Sequence, residues 1–266
     1  GARGNMMAAF LAKRTGLPTV STVHSDYRLD YLGRPLSRIT YGTINTIALR
    51  KLDYRIGVSD AMVDLLIDRR FDPERIFAIY NGLDFTPRTP SMDRATFFRS
   101  VGLDADDTCV VAGIAARLNP VKDIATLIRG FARAHAEYPP LRLLIAGDGE
   151  EMESLKKLAA DLGVAKEVCF AGWVSDTDSF YHALDINTLT SISETFPYVL
   201  TEGARAGLPT ISSKVGGVSY LIDHGANGFL FPPGDDRALA NHLLTLARDP
   251  ALRKSLGHKL YEKAKR

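Results

Sequence analysis

Long apolar runs are missing from this sequence: no stretch of its 266 residues approaches the ~20 consecutive apolar positions of a membrane-spanning helix. Its opening residues do not show the pattern of a secretory signal. Cysteine is scarce, and the two present, Cys109 and Cys169, sit inside the apolar strand-like runs TCVVAGIA and VCFAG, where a reduced buried thiol is the ordinary outcome. A cytoplasmic protein is the expectation. Charge of one sign is not in excess: 33 Lys and Arg against 31 Asp and Glu leave +2, which argues against a strongly basic nucleic-acid binder. No GxGxxG fingerprint follows a first strand, which disfavours a nicotinamide dehydrogenase. No cluster of Asp and His suggests a metal site either.

What is present is ample core material, with 45% hydrophobic and 24% charged residues, so a folded globular chain is expected rather than disorder. The length exceeds the ~100 to 200 residues of one typical domain. Strand-like and helix-like patterns alternate: MMAAFLAKRTG closes on Gly16 as a helix, PTVSTVH reads as a strand, RITYGTINTIALRKLDY as a helix and RIGVS as a strand. Ser59 is placed to cap AMVDLLIDRRF, and RIFAIY is a strand before the turn at Asn81 and Gly82. The stretch from Phe85 to Asp107 breaks this rhythm, and a domain boundary is expected near residue 90, giving domains 1–90 and 91–266. Beyond it TCVVAGIA, LRLLIAG, VCFAG, DINTLTS, PTISS and GFLF supply strands, with helices opening near Glu150, Asp176, Tyr198, Val218 and Asp235. Such alternation predicts parallel sheets, and for the second half a doubly wound α/β domain.

The basic residues between Arg3 and Arg55, among them Lys13, Arg14, Arg28, Arg34, Arg38, Arg50 and Lys51, outnumber Asp26, Asp30 and Asp53. They read first as a solvated face, and alternatively as a surface for anionic lipid or an anionic acceptor.

Doubly wound sheets bind ligands beyond the carboxyl ends of their strands, so the post-strand loops carry the functional expectation. In AARLNPVKD, Arg117 offers a planar donor fork and Lys122 a mobile point charge, a complementary pair for a diphosphate. In AGDGEE the glycines permit a tight turn, with Asp148 expected to do no more than cap the next helix. In TSISETFPYV, Glu194 falls in the loop, and Phe196, Pro197, Tyr198 and Val199 are expected to form the first helical turn, whose amides would hold a phosphate. Glu202 lies about one turn deeper. A carboxylate accepts two hydroxyl hydrogen bonds at once, so Glu202 suits a ribose diol and Glu194 the hydroxyls of a sugar.

ETFPYVLTE with GARAGLPTISSKVGG, in which seven residues separate the two glutamates, resembles the signature of the retaining glycosyltransferases of family 4. AARLNPVKD, YNGLD and ANGFLFPPGD resemble further motifs of that family in the same order, from about Arg3 to Arg266. The resemblance implies a GT-B fold: two Rossmann-like doubly wound domains facing across a cleft, the first incomplete here, since residues 1–84 are fewer than the ~100 such a domain needs. It implies retaining transfer from a nucleotide-diphosphate sugar, such as a UDP- or GDP-sugar, to a saccharide or lipid-linked acceptor, without a metal cofactor. Arg117 and Lys122 would neutralise the diphosphate, Glu194 would bond the transferred sugar and Glu202 the ribose. The amides of Phe196 to Leu200 would complete the phosphate site, Gly172, Trp173 and Val174 would line the donor pocket, and His24 would stand near the donor sugar. The pattern departs at Ser219 and Tyr220, where the family usually has proline and glutamate. A sugar-nucleotide 2-epimerase of the same architecture and a non-catalytic nucleotide-binding module are the alternatives, and the truncated chain is expected to bind nucleotide even if inactive.

Overall fold

The computed structural model describes residues 1–26, 35–86 and 88–266. Arg28, Asp30 and Arg34 of the basic stretch lie outside the described residues, as does Pro87. The chain divides into two compact units, the first made of residues 1–82 with the short segments 193–196 and 215–217, the second of the remainder.

The first unit runs α1 (Ala2–Thr15), β1 (Val20–Val23), α2 (Pro35–Lys51), β2 (Tyr54–Gly57), α3 (Asp60–Asp68) and β3 (Ile76–Ala78). Its three strands are parallel in the order β1-β2-β3. Gly16 adopts the left-handed conformation that ends α1, and the Ser59 hydroxyl accepts from the Met62 amide to start α3, as both residue types favour. Val23, Leu49, Leu52, Met62, Leu66, Phe71 and Ile76 form its core. One member of the basic stretch departs from the expected solvated face: Arg55 is 4% exposed. Its guanidinium donates to the carbonyls of Leu49 (3.0 Å) and Leu52 (2.7 Å), at and just beyond the end of α2. Burial lowers its pKa from the usual arginine range.

The second unit contains α4 (Arg94–Val101), β4 (Val110–Ala115), α5 (Ile124–Glu137), β5 (Leu141–Ala146), α6 (Met152–Asp161) and β6 (Val168–Gly172). It continues with α7 (Thr177–Ala183), β7 (Ile186–Leu189), α8 (Tyr198–Arg205), β8 (Thr210–Ser213), α9 (Val218–Leu221), β9 (Phe229–Phe231), α10 (Asp236–Arg248) and α11 (Pro250–Ala264). All six strands are parallel, in the order β6-β5-β4-β7-β8-β9. Because successive side chains point to opposite faces, Val110, Ala112 and Ile114 of β4 join one core with α5 and α10, while Val111 joins another with Phe97, Phe98, Phe180 and Tyr181. A strand covered on both faces has no polar alternation, which is why TCVVAGIA reads as a continuous apolar run.

The units part between Gly82 and Leu83, ahead of the boundary expected near residue 90. The residues just after that point are tied to the second unit: the Phe85 ring meets Tyr261 at 5.5 Å, and Arg205 donates to the Asp84 carbonyl at 3.4 Å.

Candidate functional site

Strand order in the second unit reverses between β4 and β7, and the loops that follow these two strands flank that switch point. They are stitched together by main chain and side chain. Thr190 Oγ1 donates to the Lys122 carbonyl at 2.8 Å, and the Ile192 amide donates to the Val121 carbonyl at 2.9 Å. Pro120–Lys122 forms a single 3-10 turn, and Asp123 then caps α5 through the Thr126 amide and hydroxyl. Within this loop Arg117 is exposed and Lys122 half-buried. The sequence motif around these two cations is thus part of a built loop pair rather than a free segment.

The glycines of GDG do more than permit a turn. A Cβ on Gly147, which has φ 129°, would fall on the Ala116 carbonyl, and one on Gly149 would fall on the Leu118 carbonyl. Their absence lets the loop after β5 lie directly on the Arg117 segment, sealed by Ala116 N to Ala146 O (2.9 Å) and Leu118 N to Asp148 O (2.9 Å). Asp148 does not cap α6: its carboxylate accepts from the adjacent Gly149 amide, and α6 begins at Met152, two residues beyond the expected opening. The loop after β6 joins the same group, since the Gly147 amide donates to the Gly172 carbonyl at 2.7 Å. Trp173 follows, 84% exposed, the most exposed large apolar residue among the described ones, while the half-buried Val174 packs against the core.

The helix after β7 opens at Tyr198, where the sequence placed it, but Phe196 and Pro197 fall before its first turn. Tyr198 is the first residue of α8 and Pro197 its N-cap, in extended conformation, so Phe196 is not helical. Pro197 has no amide hydrogen and the Leu200 amide already donates to the Pro197 carbonyl at 3.1 Å. An anion at this helix start would therefore meet the amides of Tyr198 and Val199, fewer donors than expected from Phe196 to Leu200. Glu202, one turn further on, is half-buried and accepts a 2.9 Å hydrogen bond from the Tyr181 hydroxyl. The neighbouring Arg205 is engaged elsewhere, with Asp178 at 2.6 Å.

Glu194 belongs to the segment 193–196 that clusters with the first unit, where His24 also lies. The contacts are specific: Thr195 Oγ1 donates to the His24 carbonyl (2.6 Å), Ser59 Oγ donates to the Thr195 carbonyl (3.1 Å), and Asn81 Nδ2 donates to the Phe196 carbonyl (3.1 Å). The Phe196 ring meets Tyr80 edge-on at 5.4 Å. Gly216 and Gly217 are close approaches as well, since a Cβ on either would strike the carbonyl of Glu194 or Thr195. His24 itself is exposed at the end of β1. Ser219 and Tyr220 are exposed on α9.

Sequence reasoning missed Ser59, Thr195 and Tyr181. Ser59 was legible only as a helix cap and Tyr181 only as core; neither hydroxyl's partner has a local signature. Asn81 stood in a recognised motif, but its visible role was the turn. His242 on α10 is half-buried: its ring stacks on Phe229 at 4.6 Å, and burial lowers its pKa. Among the described residues, no group of three or more His, Cys, Asp or Glu is placed to hold a metal ion. No helix among them is long and apolar enough to cross a membrane.

Comparison with known proteins agrees with this architecture. Residues 94–264 match the model of "Glycosyl transferases group 1", and residues 2–86 match "Glycosyltransferase Family 4". The chain is 32% identical over 206 residues to the lipopolysaccharide core biosynthesis glycosyltransferase LpsE of Rhizobium meliloti, covering 77% of this chain and 56% of that protein. It is 29% identical over 271 residues to a D-inositol 3-phosphate glycosyltransferase of Stackebrandtia nassauensis, covering 94% of this chain and 59% of that one. The chain therefore spans between half and two thirds of the length of these two relatives. The crystal structure of Anabaena Alr3699/HepE in complex with UDP-glucose superimposes with a TM-score of 0.86 at 26% identity, over 99% of this chain and 72% of that one. With both halves matched and the parallel-sheet units of GT-B glycosyltransferases in place, the chain belongs to the group 1 glycosyl transferases.

Proposed function

We propose that the protein transfers a sugar, with retention of configuration, from a nucleotide-diphosphate sugar to a hydroxyl acceptor in the synthesis of cell-surface polysaccharide or glycolipid. The observation that carries this reading is the pair of stitched loops at the β4/β7 switch point, which holds Arg117 and Lys122 on a fixed frame. In this reading both cations, with the Tyr198 and Val199 amides, stabilise the charge that develops on the departing diphosphate. The bond from the anomeric carbon to the diphosphate oxygen breaks as the acceptor oxygen bonds to that carbon from the same face, and the acceptor proton passes to a leaving-phosphate oxygen. Glu194 bonds the hydroxyls of the transferred sugar, with His24 beside it, Glu202 takes the ribose, and Gly172, Trp173 and Val174 meet the base. Cationic stabilisation of this kind requires no metal.

The names of the relatives support the substrate class: lipopolysaccharide core synthesis for LpsE, and bound UDP-glucose for HepE. A uridine diphosphate sugar is accordingly the first donor to try. The reading also assigns the reaction to the cytoplasmic face of a membrane. The last turns of α1 and α2 carry Lys13, Arg14, Arg50 and Lys51, and exposed Met6, Phe10 and Leu11 lie on α1, a composition suited to an anionic lipid surface.

The test is slow turnover of UDP-glucose followed by NMR, with and without EDTA. Release of UDP with α-glucose as the first anomer, unchanged by EDTA and abolished in Glu194→Gln, is the expected result. First appearance of β-glucose would overturn retention, loss with EDTA would overturn metal independence, and tight binding without turnover would favour a binding module.

A further inference from the structure

Tyr181 stands out among buried groups because the core does not need its hydroxyl. The ring is 1% exposed and packs edge-on against Phe180 at 5.1 Å within an otherwise apolar cluster. A phenylalanine would fill that space, yet the residue carries a hydroxyl that leaves the core and ends 2.9 Å from Glu202 Oε2. Burial, and then the adjacent Glu202 carboxylate, raise the Tyr181 pKa well above the usual phenol range, so at neutral pH the hydroxyl is a donor. A small cavity of about 120 Å³ adjoins the pair, lined by Arg88, Asp178, Tyr181, His182, Glu202 and Arg205. The cation nearest along the helix does not compete for the carboxylate, because Arg205 is bound to Asp178.

An ionised carboxylate has about four acceptor positions, and the phenol occupies one of them. Rotation about its two torsions beyond Cβ decides which oxygen faces outward, and a buried donor on one oxygen fixes that choice. We infer that Tyr181 is a positioning residue: it holds Glu202 with its second oxygen presented to the ribose diol of the donor nucleotide, and so makes the site select ribonucleotides over their 2′-deoxy counterparts. This inference rests on the role given to Glu202 under the proposed function.

The experiment is calorimetric titration of wild type, Tyr181→Phe, Glu202→Gln and the double variant with UDP and 2′-deoxy-UDP, with thermal melts run alongside. Wild type is expected to prefer UDP. Tyr181→Phe is expected to lose about five- to tenfold in UDP affinity, the scale of one ordinary net hydrogen bond, while its affinity for 2′-deoxy-UDP barely changes. Glu202→Gln retains an oxygen for the phenol to bond but offers an amide to the diol. It should therefore lose the preference with Tyr181 intact, and the double variant should add nothing further to that loss. If Tyr181→Phe keeps the wild-type ratio of the two affinities, whatever their absolute size, the positioning role is overturned while Glu202 as ribose ligand stands. If wild type itself does not distinguish the two nucleotides, the ribose role of Glu202 falls, and the positioning role with it. A global loss of melting temperature with the ratio intact would mark the hydroxyl as structural only, which also overturns the inference.

Discussion

Replacement of Gly147 by alanine tests whether the loops after β4 and β5 are one rigid support for Arg117. Two costs arise. Gly147 sits at φ 129°, a region that side-chain-bearing residues rarely adopt, for about 1 to 3 kcal/mol. The new Cβ would also coincide with the Ala116 carbonyl, so the Ala116 segment must move away from hydrogen bonds that it shares with this loop, each contributing about 0.5 to 1.5 kcal/mol. With the Ala116 and Leu118 amide bonds to this loop both counted, the total is about 2 to 6 kcal/mol, a large share of the ~5 to 15 kcal/mol that holds a domain together. Gly163 is the matched control: its φ is 73°, but a Cβ there meets nothing within 4 Å, so Gly163→Ala should cost only about 1 to 2 kcal/mol. Urea unfolding followed by circular dichroism gives both losses, and titration with UDP at low temperature reads the displacement of Arg117. Gly147→Ala should lose both stability and UDP affinity, and Gly163→Ala stability alone. If the two variants were equally stable and bound UDP equally, the close approach would not matter and the reasoning would be refuted.

Other expectations follow from single contacts. Arg55→Met should destabilise the first unit by about 3 kcal/mol in urea unfolding, because the Leu49 and Leu52 carbonyls lose a buried charged donor; a loss below about 1 kcal/mol would mean that water replaces the guanidinium. Asp176 caps α7 through the Ser179 amide and also receives the Ser91 hydroxyl, and bonds from Ser179 chiefly lower its pKa below 3.8. Asp176→Ala should cost about 1 kcal/mol at pH 7. Since the folded state favours the ionised form, that contribution is present above the unfolded pKa and disappears as pH falls below about 4, so wild type and variant should converge in acid. Cys169, whose thiol burial pushes up from 9.0 to about 11, should resist iodoacetamide in the folded protein at pH 8. Its contribution to stability should be intact below pH 9 and decline as pH rises toward 11, because the unfolded chain deprotonates first.

Most elements were legible because their signals are local. The apolar runs of β4 and β5, the caps at Ser59 and Asp176, and the αL glycine after α1 declare themselves within a few residues. The placing of Arg117, Lys122 and Glu194 in loops after strands, and of Glu202 one turn into α8, was legible as well. What stayed hidden depends on contacts that no local pattern announces. Arg55 looks like any surface arginine until the chain leaving α2 turns the Leu49 and Leu52 carbonyls onto it, and GDG looks like a turn until the Ala116 and Leu118 carbonyls lie against it. The opening of α8 near Tyr198 was legible, but Phe196 and Pro197 were placed in its first turn because a proline fits either the N-cap or the first turn, and only the extended backbone of Pro197 decides between them. Ser59 and Tyr181 carry a second role each, invisible beside the first.

The central claim, that Arg117 and Lys122 at the switch point bind a nucleotide diphosphate, is tested most directly by calorimetric titration of wild type and Lys122→Ala with UDP and UMP. The account predicts that wild type binds UDP at least tenfold more tightly than UMP and that Lys122→Ala removes most of that difference while leaving UMP affinity nearly unchanged. Equal affinity for UDP and UMP in wild type, or an undiminished difference in Lys122→Ala, would contradict it.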